Sequence, residues 1–288
     1  MSAWSEPAPA KINLSLHVVG QQNNGYHLLE GLSVFTQLSD GLTIREAQKD
    51  RLHIIGPFAK KLDNENDNII LRAVALFRVH WPNAIPEGLD ITLEKHLPVA
   101  AGIGGGSADA AAALRIAARM SKRKVSVSEL ADVALQLGAD VPMCLFSRTC
   151  LVAGVGEEVQ IVEPFPSLHL VLANPGIAVS TADIFGKLKS KNNPKMAVLP
   201  TDPNDIDALG LWLQDTRNDL EAPAIESAPE ISMLSDTLSE QSGCLLARMS
   251  GSGATVFGVF SEEGSAMAAA QQMRKAYPNA WVAHSPII

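Results

Sequence analysis

A glycine-rich run constrains this chain more than any other feature of its sequence. The run is Pro98-Val99-Ala100-Ala101-Gly102-Ile103-Gly104-Gly105-Gly106-Ser107, and the alanine-rich segment after it predicts a helix over 108–120. Because glycine has no Cβ, such a loop can turn tightly and approach a ligand closely. A helix that follows directly offers unpaired N–H groups and the positive end of its dipole, which suit a phosphate group. The run predicts a phosphate-binding loop; the alternative is a turn that serves only close helix–strand packing.

Two other phosphate-binding patterns fit the run poorly. No Lys-Ser or Lys-Thr pair closes it, as the Walker A pattern requires. The dinucleotide fingerprint needs a G-x-G-x-x-G and an acidic residue at the end of the following strand, whereas the segment from Lys122 to Lys124 is basic.

Composition and charge limit the class of protein. The chain has 288 residues, 47% of them hydrophobic, which is enough for one large or two medium domains. The net charge of −8 argues against nucleic acid as a partner, because a nucleic-acid-binding protein would show a basic face.

Cys144, Cys150 and Cys244 lack metal-ligand spacing and predict reduced thiols in a cytoplasmic protein. With no signal-peptide pattern and no apolar run of membrane-spanning length, no membrane partner is expected.

Periodicity predicts mixed helices and strands in the first half of the chain. Alternating apolar positions from Ile12 to Val18 predict a half-buried strand with Lys11 and Asn13 on one face. The other predicted elements are a strand over roughly 42–55, a helix over 69–80 capped by Asn68, a strand over 89–93, and a helix opened by the capping box Ser126-x-x-Glu129 and ended by a left-handed Gly138.

The second half has the same mixed character. It predicts strands over 168–173, 245–249 and 254–260, helices over 229–241 and 264–276, and an exposed loop over 187–207. This order of elements predicts an α+β fold of two lobes with a cleft between them.

Three motifs in a fixed order identify a family resemblance. They are Pro7-Ala8-Pro9-Ala10-Lys11-Ile12-Asn13-Leu14, the glycine-rich run, and Met249-Ser250-Gly251-Ser252-Gly253-Ala254. The set resembles the GHMP small-molecule kinases, which phosphorylate galactose, homoserine, mevalonate and related alcohols. Three more stretches narrow the resemblance to members that act on a cytidylated alcohol: Gly25-Tyr26-His27, Gly138-Ala139-Asp140-Val141-Pro142 and Arg217-Asn218-Asp219-Leu220-Glu221. The resemblance extends from about Pro7 to Phe260.

The resemblance implies both a fold and a reaction. The fold is an N-terminal lobe like ribosomal protein S5 domain 2, over residues 1–156, and a ferredoxin-like C-terminal lobe, over 157–288, with the active site in the cleft. The reaction transfers the γ-phosphate of ATP, carried with Mg²⁺, to the 2-hydroxyl of 4-diphosphocytidyl-2-C-methyl-D-erythritol in the non-mevalonate route to isoprenoid precursors. That small molecule is the implied substrate, and a monomer or homodimer is expected.

Two residues are the candidates for catalysis. Asp140 can accept the proton of the alcohol as phosphoryl transfer proceeds; the alternative is an Asp that caps a backbone N–H. Lys11 would stabilise charge on the transferring group and keep Asp140 ionised, whereas the alternative is a solvated lysine at a strand edge. Asn13 would bind substrate or orient these two residues; a buried structural amide is the alternative.

The nucleotide contacts are predicted along the glycine-rich run. They are Pro98, Ala101, Gly102, Ile103, Gly104, Gly105, Gly106, Ser107 and Ala108. The hydroxyl of Ser107 can reach a phosphate oxygen or Mg²⁺, or act as a plain helix cap. The sequence shows no acidic cluster, and no metal-ligand spacing among the histidines other than His27, so no metal site made by protein ligands is predicted.

The resemblance also places substrate contacts in the aromatic residues and the third motif. Tyr26 and Phe185 would sandwich the cytosine ring, His27 would hydrogen-bond to it, and Thr181 would line the same pocket. Single aromatic residues are otherwise more typical of core or surface. Gly251 and Ser252 would help to place the substrate. The chain has Ser33 near a position where some relatives carry an aromatic residue.

The sequence leaves three rival functions open. One is another GHMP kinase of the homoserine or mevalonate type, which would not need Tyr26, His27 and Phe185. Another is a nicotinamide-dependent oxidoreductase that binds pyrophosphate with the glycine-rich run. A third is a non-catalytic nucleotide-binding protein, which would tolerate the loss of Lys11 and Asp140.

Overall fold

The computed structural model describes residues 3–62 and 68–288. The strands are β1 (Ala3–Gln21), β2 (His27–Ala47), β3 (Arg51–Ile55), β4 (Gly88–Glu94), β5 (Cys150–Gly154), β6 (Glu158–Ile161), β7 (His169–Asn174), β8 (Cys244–Met249), β9 (Val256–Phe260) and β10 (Trp281–Pro286). The α-helices are α1 (Ile69–His80), α2 (Gly105–Met120), α3 (Val127–Leu135), α4 (Val141–Phe146), α5 (Thr181–Gly186), α6 (Ile206–Asp215), α7 (Glu221–Ser227), α8 (Glu230–Ser239) and α9 (Glu263–Ala276). In this part of the chain, no helix is both long and apolar enough to cross a bilayer.

The chain divides into two compact units that are interleaved in sequence. The first unit contains Met1–Ala10, Leu38–Val99 and Gly104–Ser147; the second contains Lys11–Gln37, Ala100–Ile103 and Arg148–Ile288. Strands β1 and β2 pair with each other and contribute residues to both units. The predicted domains, 1–156 and 157–288, assume a single boundary along the chain, and these limits remain a prediction.

The first unit packs helices against strands. The end of β2 pairs with β4 in antiparallel register, and β3 pairs with β4 in parallel. Helix α2 packs against α1 and α4, and its side chains from Ala110 to Ala113 are fully buried. Alanine brings little volume, so neighbouring helices can approach α2 closely. Arg115 of α2 is held by Glu6 at 3.2 Å and by the carbonyl oxygens of Pro7 and Cys144 at 2.7 Å.

The second unit is built on an antiparallel sheet in the order β10-β7-β9-β8. Helices α8 and α9 pack on this sheet and bury a core that includes Leu234, Leu238, Ala270 and Met273. The first part of β2 pairs with β5, and β5 pairs with β6.

The structure confirms several predicted elements and corrects others. Asn68 caps α1, and Ser126 and Glu129 form the predicted capping box. The strand predicted over 42–55 is wrong, because β2 and β3 pair on opposite sides of β4 and run in opposite directions, so the chain reverses at 48–50. Gly138 was predicted to end a helix in the left-handed region; α3 ends at Leu135, and Gly138 does not have a positive φ.

Candidate active site

The glycine-rich run meets α2 in a geometry that suits phosphate. Gly104 is the N-cap residue with φ of 64°, and the first intrahelical bond runs from the Ala108 N–H to the Gly104 carbonyl at 2.9 Å. The N–H groups of residues 105–107 therefore precede the hydrogen-bond ladder of the helix. A Cβ on Gly106 would meet nothing within 4 Å, so one side of this first turn is open to a ligand.

A buried cluster of charges lies beside this turn. The Lys95 ammonium donates to Asp40 Oδ2 at 2.5 Å and to Asp109 Oδ2 at 2.6 Å, and all three side chains are almost completely buried. Asp40 Oδ1 accepts from the N–H groups of His96 and Leu97 at 2.6 and 2.8 Å. A Cβ on Gly105 would lie 3.3 Å from Lys95 Nζ, so the ammonium lies against the first residue of α2.

The protonation of this cluster follows from its burial. Burial raises the pKa of Asp109 to about 7; the Lys95 charge opposes this rise and the Asp40 carboxylate adds to it. Burial lowers the pKa of Lys95, but Asp109 and Asp40 raise it above its ordinary value overall. Asp109 Oδ1 is buried and has no hydrogen-bond partner among the described residues. The sequence did not predict this cluster, because its members are distant in sequence.

In the second unit, residues 100–103 of the glycine-rich run are hydrogen-bonded to the third motif. Ser250 Oγ donates to the Gly102 carbonyl oxygen at 2.9 Å and accepts from the Asn13 N–H at 3.1 Å. The Thr255 N–H donates to the Ala101 carbonyl at 3.1 Å. A Cβ on Gly102 would lie 2.4 Å from the Ser250 carbonyl oxygen, and φ is +75° there. Only glycine allows this approach without strain.

Asn218 holds the backbone of the third motif through two hydrogen bonds. Its Nδ2 donates to the carbonyl oxygens of Met249 and Gly251, each at 2.8 Å, and its Oδ1 accepts from the Leu220 N–H at 3.0 Å. The stretch from Arg217 to Glu221 belongs to the family resemblance, but its sequence predicted no role for Asn218. Ser250 was also missed as a linking residue. Both residues are polar and lie within motifs of the family, which was the only hint in the sequence. Their hydrogen-bond partners are distant in sequence and are identified only by the structure.

The predicted residues of β1 are buried in the second unit. Lys11 is 3% exposed, which excludes the solvated strand-edge alternative, and its N–H donates to the Ile103 carbonyl at 2.9 Å. Asn13 Nδ2 donates to Ser33 Oγ at 3.0 Å. This bond leaves Asn13 Oδ1 buried, without a hydrogen-bond partner in the described part of the chain, and 3.4 Å from the Cβ position of Gly251. The small, fully buried Ser33 thus orients the amide.

Asp140 lies in the first unit at the N-cap position of α4, and its side chain makes no capping hydrogen bond to that helix. An N-cap side chain normally accepts from the second or third helical N–H, and the second position here is Pro142, which has none. The Asp140 carboxylate therefore does not cap α4.

Two of the predicted base-binding residues, His27 and Phe185, form a pair in the second unit. The His27 ring stacks on Phe185 with centroids 4.8 Å apart and planes 24° from parallel, whereas Tyr26 is 63% exposed. Thr181 Oγ1 and Ser252 Oγ are hydrogen-bonded at 2.7 Å. Burial, followed by the charge of Lys191, lowers the pKa of His27. His27 Nε2 is buried without a hydrogen-bond partner among the described residues.

Comparison with known proteins agrees with these features. Residues 68–148 match the family model of the GHMP kinases N-terminal domain, and residues 196–279 match that of the GHMP kinases C-terminal domain. A protein of Cereibacter sphaeroides named 4-diphosphocytidyl-2-C-methyl-D-erythritol kinase is 48% identical to this chain over 276 residues, 96% of each. The chain belongs to the 4-diphosphocytidyl-2-C-methyl-D-erythritol kinase family of GHMP kinases. It is therefore an ATP-dependent small-molecule kinase, as the motifs predicted.

Solved structures support the same family. A crystal structure described as 4-(cytidine 5'-diphospho)-2C-methyl-D-erythritol kinase matches 99% of both chains with a TM-score of 0.78 and 30% identity. A homoserine kinase from Cytophaga hutchinsonii matches 100% of this chain and 95% of its own, with a TM-score of 0.75 and 20% identity, which shows a shared fold only. The predicted α+β GHMP kinase fold is confirmed. Membership of this kinase family leaves the oxidoreductase and non-catalytic alternatives without support.

Proposed function

We propose that this kinase transfers the γ-phosphate of ATP to the 2-hydroxyl of 4-diphosphocytidyl-2-C-methyl-D-erythritol, giving the 2-phosphate and ADP. The observation that carries the proposal is the 48% identity, over nearly the whole chain, to a relative with that name. The His27–Phe185 stack adds an aromatic surface and a ring nitrogen suited to a base. Homoserine and mevalonate have no base, so this surface favours the cytidylated alcohol over the substrates of other GHMP kinases.

The triphosphate would bind at the start of α2. The nucleotide-contacting residues are proposed to be Pro98 and Ala101–Ala108, with the N–H groups before the first helical bond directed at phosphate oxygens. The open space at Gly106 fits this use. Mg²⁺, which ATP normally carries, would neutralise phosphate charge when bound, and the Ser107 hydroxyl is the side chain proposed to reach it or a phosphate oxygen.

The proposed transfer uses one base and one cation. The 2-hydroxyl oxygen forms a bond to the γ-phosphorus as the bond to the β–γ bridging oxygen breaks, and the hydroxyl proton passes to the Asp140 carboxylate. Lys11 stabilises the negative charge on the transferring group. Its burial supports this role, because an ammonium acts more strongly where water is excluded.

The substrate would be held by residues of the second unit. Asn13 Oδ1 is proposed to accept a hydrogen bond from a substrate hydroxyl, and the Thr181–Ser252 pair and Gly251 to line the same site. Tyr26 would complete the cytosine contact beside His27 and Phe185. We further propose a cytoplasmic monomer or homodimer that has no nucleic-acid partner, consistent with the acidic net charge of −8.

The proposal is tested by ADP release from MgATP with a panel of alcohols. The panel contains the cytidylated methylerythritol, free methylerythritol, homoserine and mevalonate. Turnover with the cytidylated alcohol alone is expected, because only this substrate engages His27 and Phe185. Comparable turnover with free methylerythritol would remove the base-binding role, and turnover with homoserine or mevalonate alone would overturn the proposed substrate.

A further inference from the structure

Three side chains outside the proposed active site converge on one point of the second unit. They are His169 on β7, His284 on β10 and Glu263, the first residue of α9. One ligand atom from each lies within 4.8 Å of the others. The proposed kinase reaction uses none of them. Two imidazoles and one carboxylate are a ligand set that proteins use for Zn²⁺, with water in the fourth position.

The spacing of the two imidazoles suits a single ion. His284 Nε2 and His169 Nδ1 are 3.4 Å apart, and the ring centroids are 5.5 Å apart with planes 18° from parallel. In a tetrahedral site with Zn–N bonds of about 2.0–2.1 Å, two nitrogens are separated by roughly 3.3 Å. The two nitrogens are therefore already at the spacing that one ion requires, and the rings must turn about their side-chain bonds out of this near-parallel arrangement to direct both lone pairs at it.

The backbone holds these residues in place. Strands β7 and β10 are antiparallel, with His284 opposite Val171 and Pro286 opposite His169. Since residues 169 and 171 share a face of β7, His284 lies diagonally across from His169 on that face. Helix α9 packs on both strands and places Glu263 beside them.

A histidine binds a metal through one ring nitrogen, and two histidines that meet on adjacent strands leave no local pattern in the sequence. Sequence analysis found no metal-ligand spacing among the histidines because His169 and His284 are 115 residues apart.

We propose that His169, His284 and Glu263 bind one Zn²⁺ ion, with water as the fourth ligand. The ion joins β10 and the start of α9 to β7, and so ties the C-terminal strand to the sheet. This site goes beyond the proposed kinase function and is independent of the Mg²⁺ that accompanies ATP.

The test is isothermal titration of the metal-stripped, full-length protein with zinc sulfate near neutral pH, without nucleotide. We expect one ion per chain. His284→Ala and His169→Ala should each weaken binding by about tenfold or more, since even the loss of a residue that only supports a ligand costs 10–100-fold. His53→Ala is the matched control, because its exposed imidazole is paired with Asp90 at 3.1 Å on β4; this variant should bind like the wild type.

A second measurement separates loss of the site from loss of the fold. Zinc should raise the melting temperature of the wild type and of His53→Ala but not that of His284→Ala, while all three retain kinase activity. Equal zinc affinity in the wild type and His284→Ala, or no measurable binding by the wild type, overturns the site. Loss of binding in Cys244→Ser but not in His284→Ala would assign the ion to a thiol and also overturn it.

Discussion

The Ser250 hydroxyl donates to the carbonyl oxygen of Gly102 across 2.9 Å, which joins the third motif to the glycine-rich run. The same hydroxyl accepts from the N–H of Asn13, so one serine links three motifs that are far apart in the sequence. These bonds hold the backbone of Gly102 so close that no side chain fits there. The second unit thus fixes the middle of the run, and Gly104 is the N-cap residue of α2.

Gly102→Ala should destabilise the protein. The added Cβ would lie 2.4 Å from the Ser250 carbonyl and 2.8 Å from the backbone of Gly253, and the positive φ adds about 1–2 kcal/mol of strain. Chemical denaturation should show a lower free energy of unfolding, with reduced kcat/KM. Gly106→Ala is the control, since its Cβ meets no protein atom. It should fold normally and raise the KM for ATP; equal stability of the two variants would contradict this account.

Asp140→Asn should slow turnover by about 10²–10⁴-fold, because the amide cannot accept the proton of the alcohol. The KM for ATP should change little. Steady-state kinetics with each substrate varied in turn measure both effects. Asp132→Asn, at an exposed carboxylate on α3, serves as the control; near-wild-type turnover in Asp140→Asn would exclude the base role.

Phe185→Ala should raise the KM for the cytidylated alcohol and leave the KM for ATP unchanged, because it removes the ring that stacks on His27. Tyr26→Ala should act in the same direction. Leu188→Ala is a matched control, since Leu188 also packs partly buried against the core of this unit but offers no ring. If Phe185→Ala raised both KM values equally, the ring would support the fold rather than bind the base.

The buried Lys95 cluster should make stability depend on pH. The folded-state pKa of Asp109 is raised from 3.8 to about 7, so the folded protein retains a proton that the unfolded chain releases. This contribution to stability is full below about pH 4 and is lost as pH rises to about 7, by at most about 1.4 kcal/mol per pH unit. Denaturation of the wild type and of Asp109→Asn across this range measures it. The same slope in both would exclude Asp109 as the cause.

Removal of the cation from the same cluster should be costly. Lys95→Met leaves the Asp40 carboxylate buried without a counter-ion and raises the pKa of Asp109 further, which destabilises by about 3–5 kcal/mol. Denaturant titration near neutral pH measures the loss. The double variant Lys95→Met with Asp109→Asn should recover part of it, because the buried Asn is neutral without taking up a proton. A double variant less stable than Lys95→Met alone would contradict this electrostatic explanation.

Local chemistry made much of the fold predictable. The capping residues Asn68 and Ser126, the strand pattern of β1 and the glycine-rich run all act within a few neighbouring positions, so their patterns survive in the sequence. The alternation in β1 predicted a half-buried strand, and this was wrong, because the residues from Lys11 to Val18 are buried on both faces of the strand. The missed features depend on distant partners. Strands β2 and β3 are separate strands because they pair with β4 on opposite sides and in opposite directions. The roles of Ser250, Asn218 and the Lys95 cluster arise from contacts that no local pattern records.

The most direct test of the central claim is the proton-coupled phosphorus-31 spectrum of the product made from MgATP and 4-diphosphocytidyl-2-C-methyl-D-erythritol. Carbon 2 of this alcohol carries a methyl group and no hydrogen, so a phosphate on the 2-hydroxyl has no three-bond coupling to a proton. The account predicts a new phosphomonoester singlet that forms in step with ADP. A new doublet or triplet would place the phosphate on a different hydroxyl, and ADP without any new phosphomonoester would mean that this chain does not phosphorylate the alcohol.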